Sequence, residues 1–138
     1  MARPEPGAAR GVAVLVIPVL PVSFNQTRYA PWYVTRSKNK PFVDALTLVL
    51  NTSRLPRPRA GEHLALIEAS AVLRFKDRRR RDEGNYRTPI EKALGDALTG
   101  RGYLEDDTPD QYRFTTCEFD PERGTPQTTL TLKWKEAK

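Results

Sequence analysis

The residues able to do chemistry concentrate in one stretch, DRRRRDEGNYRTPIEKALGDALTGRGYLEDD, residues 77–107. Four consecutive arginines, Arg78, Arg79, Arg80 and Arg81, lie beside the carboxylate of Asp82. Lys92 falls on the polar face of an expected helix, and the pair Asp106 and Asp107 comes just past it. Arginine presents a planar fork that matches phosphate oxygens in pairs. Mg²⁺ is held by one or two carboxylates, with waters and phosphate oxygens completing its octahedron. A lysine beside the metal stabilises charge on an attacking or leaving oxygen. Together these residue types suit metal-assisted phosphodiester cleavage. The competing reading is a set of solvated surface charges, since each type is common outside active sites.

The composition narrows the classes open to this chain. It has 138 residues, one domain's worth. One cysteine, Cys117, excludes a disulfide framework and a Cys-rich zinc site within the chain. One histidine, His63, excludes a paired-histidine metal centre. Both are read as structural. No apolar run is long enough to span a bilayer. GVAVLVIPVL, residues 11–20, resembles a short signal-peptide core, but Pro18 interrupts it and no small-residue cleavage site follows. A buried first strand is the preferred reading, and the cytoplasm the expected compartment.

Lys plus Arg is 23 and Asp plus Glu is 17, a net charge of +6. The excess is uneven. Residues 1–87 carry the basic surplus, whereas residues 88–138 are net acidic. A basic patch attracts polyanions, and adjacent carboxylates can hold a cation against a phosphate.

The elements that must position these groups follow from periodicity. Residues 1–10 read as a disordered tail and residues 11–138 as the domain. Val12–Val19 is expected to be a buried strand. Residues 21–41 mix aromatic, basic and Asn residues without a clean period and read as a functional loop. There Asn25, Arg28 and Tyr29 are candidate DNA contacts, while Trp32 and Tyr33 are expected to pack rather than stack on bases. A helix is expected over Phe42–Leu50, a turn-rich linker over 51–63 and a central strand over Leu64–Phe75. Thr88, Pro89 and Glu91 fit an N-cap, first helical position and capping box, which assigns Glu91 a structural role. Ile90, Ala93, Leu94, Ala97 and Leu98 make one buried helical face, ended by Gly100 and Gly102. Residues 112–119 and 128–134 are expected strands joined as a hairpin by PERGTPQ, with Trp134 in the core. The class is α+β, a single small domain with a mixed sheet of about four strands and two helices.

The stretch resembles the core motif of the RusA-type Holliday junction resolvases of bacteria and phages. In that family an Arg run leads into Asp-x-Asp-Asn, then a helix with a catalytic Lys ending in Asp-Ala-Leu, a glycine and an Asp-Asp pair. Here DRRRRD is residues 77–82, Asn85 takes the Asn place, DAL is residues 96–98 and DD is residues 106–107. The likeness is strong over residues 64–110 and weaker at LPVSFNQTRY in the N-terminal third. It implies a Mg²⁺-dependent endonuclease, with Mn²⁺ a possible substitute, that resolves four-way DNA junctions by paired symmetric cuts. A homodimer is implied, with branched DNA as partner and no membrane or small-molecule substrate. By the same resemblance, Asp82 and Asp107 match metal-binding and catalytic aspartates. Lys92 matches the catalytic lysine if the extra residues fall before it. Asp106 or Glu83 are further candidate ligands, although a supporting or solvated role is the preferred reading of Asp106 and an ion pair with an arginine that of Glu83. Arg78 to Arg81, Asn85, Arg87, Asn25 and Arg28 become DNA-binding candidates. Two departures stand out: Gly84 occupies the place of the second Asp, and the interval from Asn85 to DAL is about a turn long. The alternative is a branched-DNA-binding dimer on the same scaffold with little or no cleavage.

Overall fold

The computed structural model describes residues 9–23, 29–77 and 81–137. The tail (residues 1–8) and the candidates Asn25, Arg28, Arg78, Arg79 and Arg80 therefore lie outside the described residues. The chain runs β1 (Arg10–Ile17), α1 (Trp32–Asn51), β2 (Leu64–Arg74), α2 (Gly84–Gly100), β3 (Tyr112–Phe119) and β4 (Gln127–Glu136). This is the expected α+β class: one four-stranded mixed sheet with two helices.

The strand order is β1-β4-β2-β3. β4 runs antiparallel to both β1 and β2, and β3 runs parallel to β2. The expected β3–β4 hairpin is thus corrected. PERGTPQ carries the chain past the end of β2 so that β4 inserts between β1 and β2. Tight-turn residues look alike in a hairpin loop and in such a crossing, so composition does not separate them. In either case Gly124 sits close to the Arg74 side chain, whose Nε donates to the Thr125 carbonyl oxygen at 3.1 Å.

The helices cover one face of the sheet. Ala13, Leu15 and Ile17 of β1 are buried there, in register with Leu132, Leu130 and Thr128 of β4. Ala69, Ala71 and Leu73 of β2 continue those rows, meeting Phe42, Leu46 and Leu50 of α1 and Ile90, Leu94 and Leu98 of α2 in one core. Trp134 is half-buried on the same face, and its indole lies over Gly11, where a Cβ would come within 2.6 Å of the ring. Among the described residues the other face carries no helix. Its rows read Val12–Lys133–Glu68–Arg113, Val14–Thr131–Ser70–Thr116 and Val16–Thr129–Val72–Glu118 from β1 across to β3. β1 therefore alternates between buried and open positions instead of being buried on both sides, as its unbroken apolar run suggested.

Both helices begin earlier than their local signals indicate. α1 starts at Trp32, ten residues before the expected Phe42, with Pro41 inside it. Its first half is largely exposed on all sides, so no apolar period marks it. α2 starts at Gly84, not at Thr88. Asp82 starts it: its Oδ1 accepts from the Gly84 N–H at 3.0 Å and its carbonyl accepts from Asn85 N–H. Glu83, just before the helix, already has helical backbone angles. Thr88, Pro89 and Glu91 consequently lie within the helix, and the capping box is absent. The helix ends as expected, with Gly102 at φ +81.

Candidate active site

The mid-section of α2 meets the start of β3 at Gly95. A Cβ there would come within 3.0 Å of the Tyr112 ring and 3.4 Å of Asp107 Oδ2. The missing side chain is what lets the Asp107 carboxylate and the Tyr112 ring lie against the helix. Glu91 is one turn earlier on the same helical face. Its backbone carbonyl accepts the Tyr112 hydroxyl at 2.8 Å, which fixes β3 to α2 at this level. Thr88, Glu91, Lys92, Asp107, Pro109, Tyr112 and Phe114 line a shallow concavity of about 380 Å³. Two carboxylates and an ammonium thus open onto one space.

The electrostatics agree with that grouping. The Tyr112 hydroxyl is pushed upward from its ordinary range, first by burial, then by the charges of Glu91, Asp107 and Asp96, with Arg87 opposing. It stays a neutral donor at any physiological pH. Lys92 is exposed and its Nζ lies 3.6 Å from Asp96 Oδ2, which steadies it at the rim. Asp106 turns away: its Oδ1 accepts from the Asp107 N–H at 2.8 Å. The Asp106 and Glu105 N–H groups donate to Gln111 Oε1, fixing the acidic turn to the foot of β3.

Asp82 is not part of this concavity. Gly84, which it caps, and Gly95, which Asp107 touches, are eleven residues apart, roughly 16 Å along the helix axis. The structure therefore brings Asp107 to Glu91 and Lys92, not to Asp82. Among the described residues no group of three or more His, Cys, Asp or Glu side chains converges to hold a metal ion. Glu91 is the residue sequence reasoning missed, because the TPIE capping pattern explained it fully. Only the contact of Gly95 with Asp107, distant in sequence, reveals its place.

Two of the expected DNA-binding arginines serve the fold instead. Arg81 stacks on the Phe75 ring at 3.9 Å, and its Nη2 lies 2.6 Å from Asp77 Oδ1. Arg87 Nη1 donates to the Thr115 carbonyl oxygen at 3.2 Å and Nη2 to that of Phe114. These carbonyls sit where β3 bulges against Ala69 and Ser70, so Arg87 clamps α2 to an irregular edge strand. Arg87→Ala is expected to lower stability by about 1–2 kcal/mol in urea unfolding. Asn85 is half-buried in the first turn of α2 and Glu83 is exposed just before it.

Trp32 and Tyr33 do not pack into the core as expected. They are 72% and 60% exposed, edge to face at 5.9 Å, at the start of α1 beside Arg36 and Lys40. Bases can stack on rings presented in this way. A larger depression of about 930 Å³ lies at the linker, where Arg57, Arg59, Glu62, Glu105 and Glu136 mix both charges. His63 at its edge has Nδ1 3.3 Å from the Gly102 carbonyl oxygen, a structural position as expected.

Cys117 is likewise structural. It is buried on the helix face of β3, and its thiol is pushed up to about 11, chiefly by burial, with Glu83 adding and Arg87 opposing. A thiol pKa above that of the unfolded chain makes stability fall as pH rises from about 8.5 toward 11, because only the unfolded state releases the proton. At pH 8 the native thiol is expected to resist alkylation by iodoacetamide and to react fully in denaturant, as mass spectrometry would show.

No family model matches this chain, and no curated protein matches it in sequence. Among the described residues no helix is long and apolar enough to cross a membrane.

Proposed function

We propose that this protein is a RusA-like, Mg²⁺-dependent endonuclease that nicks branched DNA, four-way junctions above all. In this reading it acts as a homodimer in the cytoplasm of a bacterial or phage-infected cell. The observation that carries the reading is the shared concavity of Glu91, Lys92 and Asp107 on a strongly basic chain. Two carboxylates in one opening suit Mg²⁺, which takes few protein ligands and keeps several waters.

Asp107 and Glu91 would hold the cation. A bound Mg²⁺ supplies Lewis acidity toward a phosphodiester oxygen. Lys92 donates to the scissile phosphate and offsets the charge that builds as the bond breaks. Asp96 keeps the Lys92 ammonium at the rim. Tyr112 remains protonated and walls the floor of the site, fixed by its bond to the Glu91 carbonyl oxygen. The exposed Trp32 and Tyr33, with Arg36 and Lys40 nearby, offer rings and cations to the arms of the substrate. Paired symmetric cuts require two sites related by a two-fold axis.

A second reading, a branched-DNA-binding dimer that cleaves little or not at all, draws on the absence of a third converging carboxylate among the described residues. A labelled four-way junction and a linear duplex, incubated with Mg²⁺, Mn²⁺ or EDTA, distinguish the two. Paired nicks in the junction that vanish in EDTA are expected. A retarded junction band without nicks under either metal would replace the nuclease by the binding protein.

A further inference from the structure

Helix α1 presents a surface that the concavity between α2 and β3 does not use. Its second half is packed, with Phe42, Leu46 and Leu50 buried in the core. Its first ten residues, Trp32 to Pro41, bury no side chain fully and reach about 15 Å beyond that packed half. At the tip, the edge-to-face contact of Trp32 and Tyr33 covers at most one of their ring faces. We propose that this end of α1 is a stacking platform for an unpaired nucleobase, with Arg36 and Lys40 holding phosphates of the same strand.

The charge around the rings selects the occupant. Between Glu5 and Asp44 the sequence has no Asp or Glu, yet it holds Arg10, Arg28, Arg36, Lys38 and Lys40. Tyr33, Arg36, Ser37, Lys40, Val43 and Asp44 line one depression of about 450 Å³ along the helix. Arg36 and Lys40 stand one turn apart, about 6 Å along the axis, a step that suits successive phosphates. Asp44 Oδ2 lies 2.5 Å from Lys40 Nζ and takes up part of that cation. Exposed rings flanked by cations are the ingredients of a sequence-tolerant single-strand site. A lipid surface also takes tryptophan and lysine, but it requires an apolar helix face beside them. Here the residues between the rings and Val43 along the depression are Arg36, Ser37 and Lys40.

The ring geometry selects the state of the nucleic acid. In a duplex each base face is covered by its neighbours, so a protein ring reaches one only at an unpaired nucleotide or a duplex end. Rings at 85° to each other do not receive two successive parallel bases; one ring stacks and the other closes the side. The platform is anchored at both ends of its length. The Pro31 carbonyl oxygen accepts from the Val34 and Thr35 N–H groups at 3.0 and 3.2 Å. Asn39 Oδ1 accepts from the Val22 N–H at 3.1 Å, which ties the helix to the segment after β1. The inference rests on the DNA-binding half of the function proposed above and narrows its substrate to branches that carry unpaired nucleotides.

Tryptophan emission of the full chain in EDTA tests this, titrated with oligo(dT) and with an abasic strand of equal length and charge. Oligo(dT) is expected to quench the emission and to bind about tenfold more tightly than the abasic strand, which has phosphates but no bases. Trp32→Ala is expected to remove that advantage, while abasic affinity and far-UV circular dichroism stay unchanged. Trp134, half-buried over Gly11, keeps an emission that the strand does not move. Asp44→Asn should strengthen binding of both strands about threefold by releasing Lys40. A four-way junction with unpaired nucleotides at its branch should bind about tenfold more tightly than a fully paired one, and Trp32→Ala should erase the difference. Equal affinity for oligo(dT) and the abasic strand, or an oligo(dT) affinity indifferent to Trp32→Ala, would overturn the platform. Quenching by anionic phospholipid vesicles without quenching by oligo(dT) would overturn it in favour of a membrane surface. Because EDTA stops cleavage, the two readings fail separately. Quenching without nicking in Mg²⁺ rejects the nuclease alone, and nicking without quenching rejects the platform alone.

Discussion

Asp107→Asn is expected to lower Mg²⁺-dependent nicking of a four-way junction by at least about 100-fold, with junction affinity within a few-fold of wild type. The substitution keeps the shape that fits against Gly95 and removes the charge that faces the concavity of Glu91 and Lys92. Asp107 is exposed and its backbone bonds do not involve the carboxylate, so the fold should be indifferent to the change. Single-turnover rates and gel retardation in EDTA, measured on the same preparation, separate the two quantities. An equal fall in binding and cleavage would place Asp107 in DNA contact rather than at the metal.

Glu91→Gln should lower nicking by a comparable factor, and Asp82→Asn by much less. The two carboxylates stand at different heights of α2, and only Glu91 shares the opening with Asp107. Asp82 accepts the Gly84 N–H and starts the helix. An asparagine oxygen does the same with little loss, since Asn and Asp are near-equal helix caps. If Asp82→Asn abolished cleavage and Glu91→Gln spared it, the catalytic carboxylates would be those the family resemblance implied, and the substrate-bound fold would have to bring Asp82 and Asp107 together.

What sequence could supply was the part encoded locally. The bounds of β3 follow from YRFTTCEF, and the buried face of α2 from the spacing of Ile90, Leu94 and Leu98. The sheet order was not legible, because nothing in PERGTPQ says whether the next strand pairs with β3 or passes over β2. The start of α1 was hidden because an exposed helical half has no apolar period. At the candidate site, Lys92 and Asp107 stood out by type and spacing. Glu91 did not, because a local capping pattern accounted for it, and the pattern failed when Asp82 started the helix a turn earlier. Arg81 and Arg87 illustrate the converse: residue type suggested phosphate, but each found an aromatic ring, a carboxylate or a strand carbonyl within its own fold.

Paramagnetic broadening by Mn²⁺ in the amide spectrum of the ¹⁵N-labelled protein bears most directly on the central claim, that a divalent cation sits between α2 and the turn before β3. Substoichiometric Mn²⁺ should broaden the amide signals of Glu91, Lys92, Gly95 and Asp107 first, and excess Mg²⁺ should restore them. Broadening centred on Asp82 to Asn85, or spread evenly over the acidic surface, would contradict it.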